Sequence, residues 1–296
     1  MKIAIAGASG FVGSALIPHL ERAGHTLIKL VRDKSGRQRN AVFWNPSQGE
    51  IDRSSLEGIE GVINLAGESI MGWWTEAKKE RIKNSRIAAT ALLAKTLCKL
   101  KKTPQVLINA SAVGYYGDRG AEILDEKSSS GSDFLSEVCR QWESATDVAE
   151  NKGIRVVKLR IGTVLSPEGG ALKKMIPPFK LCLGGHLGSG KQYMSWISRE
   201  DLQGVILHVL ANLQVRGAVN AVAPQVITNA ELTQALSLAL HRPAVLHIPA
   251  FMVKFLLGEM SEVLLGSQIV QPCALKESGY AYLHPDLSQA FQAWFP

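Results

Sequence analysis

Residues 2–13 read KIAIAGASGFVG: an apolar strand pattern runs straight into three glycines at Gly7, Gly10 and Gly13, and an amphipathic helix pattern follows, with Val12, Leu16, Leu20 and Ala23 on one face. No other stretch limits the fold so strongly. In that setting Gly7 makes the tight turn and Gly10 lets a pyrophosphate approach the backbone. Gly13 lets the helix pack on the strand, and the first helical amides face the phosphates. Ser9 is a candidate helix cap or phosphate contact.

The pattern then repeats. Short β-branched or Leu-rich runs at 26–31, 41–44, 62–66, 106–110 and 154–160 alternate with longer helical patterns, which predicts βαβ units around a parallel sheet. The expected fold class is α/β, a doubly wound Rossmann sheet with a smaller C-terminal lobe on the substrate side. After residue 165 the pattern changes, with Pro177, Pro178 and four closely spaced glycines, then helical patterns at 200–211 and 229–240 around a strand at 218–223. The expected organisation is a nucleotide-binding core at 1–165, a mixed segment at 166–246 that completes the sheet and contributes to the lobe, and a small C-terminal domain at 247–296. Hydrophobic residues make up 46% of the chain, enough for a large core. No apolar run is long enough to cross a bilayer, no signal-peptide pattern opens the chain, and the four cysteines form no CxxC pair. A reduced cytoplasmic protein without a metal site is the expectation.

At the end of the second strand an acid would accept from a ribose 2′-hydroxyl, whereas an arginine would pair with a 2′-phosphate. The strand ends LVRD, so Arg32 comes first, and Lys34, Arg37 and Arg39 add positive charge beyond Asp33. NADP(H) is the predicted cofactor. The net charge of +7 concentrates in the same region: residues 29–39 carry five bases against Asp33, and residues 78–102 carry nine against Glu80 alone. The excess is therefore read as attraction for a phosphorylated dinucleotide rather than for nucleic acid or a membrane. A second glycine-rich stretch, GHLGSGK at 185–191, has the spacing of a phosphate-binding loop, but Gln192 stands where a hydroxyl would bind magnesium, and no clean strand precedes it.

Arg86 stands out independently. On a helix over 78–100 the apolar stripe runs through Ile82, Ala89, Leu93 and Leu100, and Arg86 lies on it, four residues after Ile82. An inward charge needs a partner, either a neighbouring acid or the dinucleotide phosphates.

GASGFVG, NLAG at 64–67, SAVGYYGD at 111–118 and GSGKQYMSWISREDL at 188–202 stand in an order that resembles the extended short-chain dehydrogenase/reductases, the sugar-nucleotide epimerase and dehydratase family. NSR at 84–86, LGGHLGSGKQ, APQVITNAEL and the segment at 241–272 resemble, more narrowly, an atypical NADP-linked branch with a C-terminal domain of unknown function. The resemblance implies that Asn64, Leu65, Ala66 and Gly67 line the cofactor, that Val164 lies by the nicotinamide, and that the partner of Arg86 is the cofactor.

The same resemblance exposes a departure. The family's proton-transferring Tyr, with its Lys four residues later, corresponds to Phe134 and Val138 here, and neither can move a proton. Tyr115 and Tyr116 lack a lysine at the required spacing, and the usual strand-end hydroxyl position holds Ala112, with Ser111 one residue earlier. Ser111, Tyr115 and Tyr116 are the candidate catalytic groups, and Tyr193 is a further phenol within the family's motifs. Two functions follow: an NADP(H)-dependent oxidoreductase or epimerase-like enzyme acting on a small molecule, or an NADP(H)-binding regulatory or interaction protein without turnover.

Overall fold

The computed structural model describes residues 1–33 and 40–296, so the expected contributions of Lys34, Arg37 and Arg39 lie outside the described residues. Eight strands form the main sheet: β1 (Lys2–Ala6), β2 (Thr26–Val31), β3 (Ala41–Asn45), β4 (Glu50–Ile51), β5 (Gly61–Asn64), β6 (Val106–Ala112), β7 (Arg155–Ile161) and β8 (Gly217–Ala221). Their spatial order is β8-β7-β6-β5-β1-β2-β3-β4. Every pairing is parallel except β3 with β4, a short antiparallel ribbon at one edge.

Alternation along β1 shows why the sheet is covered on both sides. Ile3 and Ile5 pack with Leu16 and Leu20 of helix α1 (Phe11–Arg22), whereas Ala4 and Ala6 join Ala89, Leu93 and Leu97 of helix α2 (Glu76–Leu97). Helix α2 starts and ends earlier than the stripe predicted. The Thr75 hydroxyl accepts from the Lys78 amide and sets the start, and the helix stops before Leu100, which is buried beyond its end. Helix α3 (Phe134–Ser144) is capped in the same way by Asp133, whose carboxylate accepts from the Ser136 amide.

Four further helices of eight residues or more, α4 (Gly170–Lys180), α5 (Arg199–Ala211), α6 (Asn229–Leu240) and α7 (Ala250–Leu257), precede α8 (Leu287–Trp294). Helix α5 joins α1 on the main sheet through Leu202, Val205, Ile206 and Val209. The lobe has its own core, in which Leu172 and Phe179 of α4, Leu232 and Leu236 of α6, and Leu287 and Phe291 of α8 meet. Segments 166–246 and 247–296 thus share one core, because the apolar faces of α6 and α8 need each other for burial.

Asp201 in the first turn of α5 ties the C-terminal segment to this frame. Its carboxylate accepts from the Ser198 hydroxyl at 2.7 Å and from the amides of Leu283 and His284 at 2.7 and 2.9 Å. Asp201 is 1% exposed, and these bonds supply what burial of its charge requires. Among the described residues no helix is long and apolar enough to cross a membrane.

Candidate functional site

Strand β1 has β2 on one side and β5 on the other, so the direction in which strands are added to the sheet reverses between β1 and β5, where a crevice opens at their carboxyl ends. The glycine turn and the NLAG segment meet there. Gly7 has φ +79°, and a Cβ added to it would lie 2.7 Å from the Leu65 carbonyl. At Gly13 an added Cβ would lie 2.2 Å from the Gly7 oxygen. These two glycines are required by close approach of backbone to backbone, one across strands and one between helix and turn. The Gly10 amide donates to the Gly7 carbonyl at 3.0 Å and closes the turn.

Gly10, rather than Ser9, is the N-cap of α1, and no side chain caps the helix. Ser9 is exposed one residue before the N-cap and does not make the expected cap, and the first amides of α1 have no side-chain cap. Arg32 is exposed at the carboxyl end of β2, in the same crevice, and its charge reaches the carboxylate of Glu68 on the neighbouring NLAG loop.

Asn64 departs from its expected role. It is fully buried, and its amide nitrogen donates to Thr90 Oγ1 at 2.9 Å and to Asn109 Oδ1 at 2.7 Å. Thr90 also accepts from the Trp142 indole and donates to Asn109. Every arm of the Asn64 amide is used inside the protein, since its oxygen accepts from the Ala66 amide at 3.3 Å. The side chain fixes the loop from beneath; above it Leu65 and Ala66 are half-buried and Gly67 is exposed.

Arg86 reaches that loop from α2. A Cβ at Gly67 would come within 3.2–3.6 Å of three atoms of its guanidinium. Arg86 Nη1 donates to the Ile82 carbonyl at 3.1 Å, and the guanidinium carbon lies 5.2 Å from the centre of the Trp142 ring. Burial holds the guanidinium below its ordinary pKa. Among the described residues no carboxylate lies within ion-pair distance of it. A half-buried cation lacking an acid, set against a glycine beside a glycine-rich turn and an uncapped helix, fits a diphosphate.

The expected catalytic groups fare differently. Ser111 and Arg160 are directly paired residues of β6 and β7. Ser111 Oγ donates to Glu143 Oε1 at 2.7 Å, and Arg160 grips both oxygens of the same carboxylate at 2.9 Å. Burial pulls the Arg160 guanidinium down, but the bonds and charge of Glu143 outweigh it, and its pKa ends above the ordinary range. Tyr116 is fully buried. Its hydroxyl lies 2.7 Å from Asn220 Oδ1 and 2.9 Å from the Asp125 carbonyl, and it accepts from Arg160 Nη1 at 3.0 Å. Burial pushes the phenol up to about 12, against the opposing influence of Arg160. Ser111 and Tyr116 thus serve one internal polar network, in which neither hydroxyl is open to a substrate.

Tyr115 is half-buried, with the Arg160 guanidinium carbon 3.5 Å from its ring centre, and it packs with Tyr116, Leu124, Val222 and Val270. Val164 is half-buried in a short strand, Thr163–Ser166, pairs with Ile197, and leads away from the carboxyl end of β7. Tyr193 pairs with Thr228 in a two-residue antiparallel ribbon of the lobe. Phe134 and Val138 stand on α3 as expected, Val138 buried and Phe134 against Trp74. Cys139 beside them is inert, because burial and then the Glu143 charge push its thiol up to about 12. The lobe closes over this end of the sheet: Gln268 donates to the Gly117 carbonyl, and Ile269–Val270 pair with Ile123–Leu124. A separate open groove of about 460 Å³ between α6 and α8 contains none of these residues.

The chain is similar to known proteins over almost its whole length. Residues 3–222 match the NAD dependent epimerase/dehydratase family, and residues 248–294 match a domain of unknown function, DUF1731. An epimerase family protein of Mycobacterium tuberculosis is 40% identical over 97% of this chain and 95% of its own length. The epimerase family protein YfhF of Bacillus subtilis is 37% identical over 98% and 96%. The crystal structure of the human epimerase family protein SDR39U1, solved with NADPH, superposes with a TM-score of 0.92 at 33% identity, covering 99% of both chains.

Proposed function

Because this chain belongs to the NAD dependent epimerase/dehydratase family, we propose that it binds NADP(H) in the crevice between β1 and β5 and acts as a cytoplasmic oxidoreductase on a small molecule held beneath the C-terminal lobe. The observation that carries this reading is Arg86, whose guanidinium has no acid partner among the described residues and stands at Gly67. The first amides of α1 and Arg86 hold the diphosphate, Arg32 pairs with the 2′-phosphate, and the backbone of Leu65–Gly67 lies along the riboses. Val164 lies on the nicotinamide side. NADPH, when bound, supplies two electrons and a hydrogen to an acceptor. The protein's own residues position it: Asn64 holds the NLAG loop from below, and the lobe borders the site from above.

The test is a binding titration. Arg32→Glu is expected to weaken NADPH binding much more than NADH binding, and Arg86→Ala is expected to weaken both. Equal loss for the two cofactors in Arg32→Glu would remove the assignment to NADP(H).

A second reading, NADP(H) binding without turnover, draws on the enclosed hydroxyls of Ser111 and Tyr116 and on Phe134 and Val138. Full NADPH affinity with no consumption across aldehydes, ketones, quinones and nucleotide sugars would favour it.

A further inference from the structure

Beside the contact between Gly67 and Arg86, the carboxyl ends of β5 and β6 carry a bed with no proton to give. Phe134, the first residue of α3, meets Trp74 edge to face with ring centres 5.3 Å apart. Ile70, Ile82 and Leu135 join them, together with Leu257, Met260 and Leu264 from the C-terminal lobe. Leu135 also packs under Gly114 in the turn that ends β6, which fixes the bed at the sheet's carboxyl edge. The polar groups at its border are spent. Trp74 Nε1 donates to the Ile70 carbonyl at 2.7 Å. Lys79 Nζ, 5.6 Å from the Phe134 ring centre, pairs with Glu259 at 2.6 Å. Tyr115 belongs to a different cluster, on the Arg160 side.

The apolar surface then continues outward to water. Trp73 is 62% exposed and lies over Gly258 at the end of α7. Along α7, Phe251 and Phe255 are 71% and 79% exposed, and Met252 and Leu256 are exposed beside them. A short helix that turns four large apolar side chains to solvent, continuous with an apolar bed, is a surface built to meet an apolar molecule.

We infer that the acceptor at this site is an apolar conjugated carbonyl, a quinone or an enone, rather than a sugar nucleotide; the inference rests on the NADP(H) reading above. Reducing an isolated ketone or sugar carbonyl builds charge on an alkoxide, which needs a general acid at the position Phe134 occupies. Reducing a quinone or enone spreads that charge over a conjugated system, so a water proton suffices. The acceptor takes a hydride from NADPH, which leaves as NADP⁺. The acceptor gains two electrons, and water places one proton on its oxygen. Flat, electron-poor rings also match the rings of half-buried Phe134 and exposed Trp73, with buried Trp74 behind Phe134.

The experiment has two arms. In the first, cofactor-free protein is titrated with 1,4-naphthoquinone while tryptophan fluorescence is followed. Saturable quenching is expected. It should shrink in Trp73→Phe and Trp74→Phe, and the apparent Kd should rise about tenfold in Phe134→Ser, the scale of one lost aromatic contact. Trp73→Ala, a surface change that leaves the core intact, should raise it several-fold. In the second arm, NADPH consumption is expected with the naphthoquinone and absent with acetaldehyde or with a sugar nucleotide that carries a free carbonyl, UDP-4-keto-6-deoxyglucose.

Quenching that does not saturate or is indifferent to all four variants overturns the inference, as does NADPH consumption with the keto sugar nucleotide but not with the quinone. Loss of NADPH binding in the unaltered protein would instead defeat the cofactor reading, and the first arm would still report on the bed.

Discussion

Arg86 and Gly67 lie so close that a single carbon added to the glycine would stand 3.2 Å from the arginine's Cζ. The glycine leaves room for the cation, and the cation waits at the mouth of the crevice. Gly67→Ala is therefore expected to displace the guanidinium by a few tenths of an ångström and raise the NADPH Kd modestly. Arg86→Ala should raise it by about 10- to 100-fold, the range for a lost charge-assisted contact. Calorimetric titration of both variants, with circular dichroism as a check on folding, measures the order of these effects.

Gly13→Ala should destabilise the fold rather than the site alone. Its Cβ would stand 2.2 Å from the Gly7 oxygen, a backbone atom, and a Cβ fixed to the helix backbone cannot rotate away from it. Overpacking of this kind costs about 1–3 kcal/mol, toward the upper end here. Chemical denaturation would show a lower midpoint with an unchanged slope.

Glu143→Gln breaks a pair whose side chains are 9% and 5% exposed. Removing one partner of such a pair costs about 3–5 kcal/mol, because the other is left charged and unmatched. Ser111→Ala removes a single bond to Glu143 and should cost about 1 kcal/mol. If Ser111→Ala abolished NADPH turnover while leaving stability untouched, the structural role assigned to that hydroxyl would be wrong.

High pH should unfold the protein through its tyrosines. Burial raises the Tyr116 phenol to about 12 and also lifts Tyr280 and Tyr282 above their ordinary range. A folded pKa above the unfolded one means that the native state holds the proton more tightly. That contribution is complete below about pH 10, and it is lost as pH rises through 12 and beyond. Ultraviolet titration should show these phenols ionising together with loss of structure.

Thiol labelling should separate the cysteines. Cys182 is exposed, whereas Cys139 is buried with its thiol pushed up to about 12. Iodoacetamide at neutral pH is expected to modify Cys182 first and Cys139 only on unfolding, as read by peptide mass.

The turn at Gly7–Gly13 and the inward arginine were legible because both are local: one is a spacing, the other a charge on an apolar stripe. The inward turn of Asn64 was not, since a polar residue at a strand end reads as a ligand contact. The available signal was that Thr90 and Asn109 are also polar at inward positions of α2 and β6, and buried polar groups need one another. The grip of Arg160 on Glu143 depends on the register of β6 against β7, which a single sequence does not carry. The bed around Phe134 needs Leu257 and Met260, more than a hundred residues away, so the replacement of a tyrosine could be seen but not what had taken its surroundings.

Asp201 places a limit on dissecting the chain. Both of its oxygens are satisfied by backbone of residues 283 and 284, on the far side of the boundary between the two family matches at 222 and 248. A fragment cut between those matches would keep the crevice sequence but strip the Asp201 carboxylate of the amides of Leu283 and His284 and of the Tyr280 hydroxyl. Such a fragment should express as aggregate, and supplying residues 248–296 as a separate peptide should recover soluble material only if the two halves are present together during refolding.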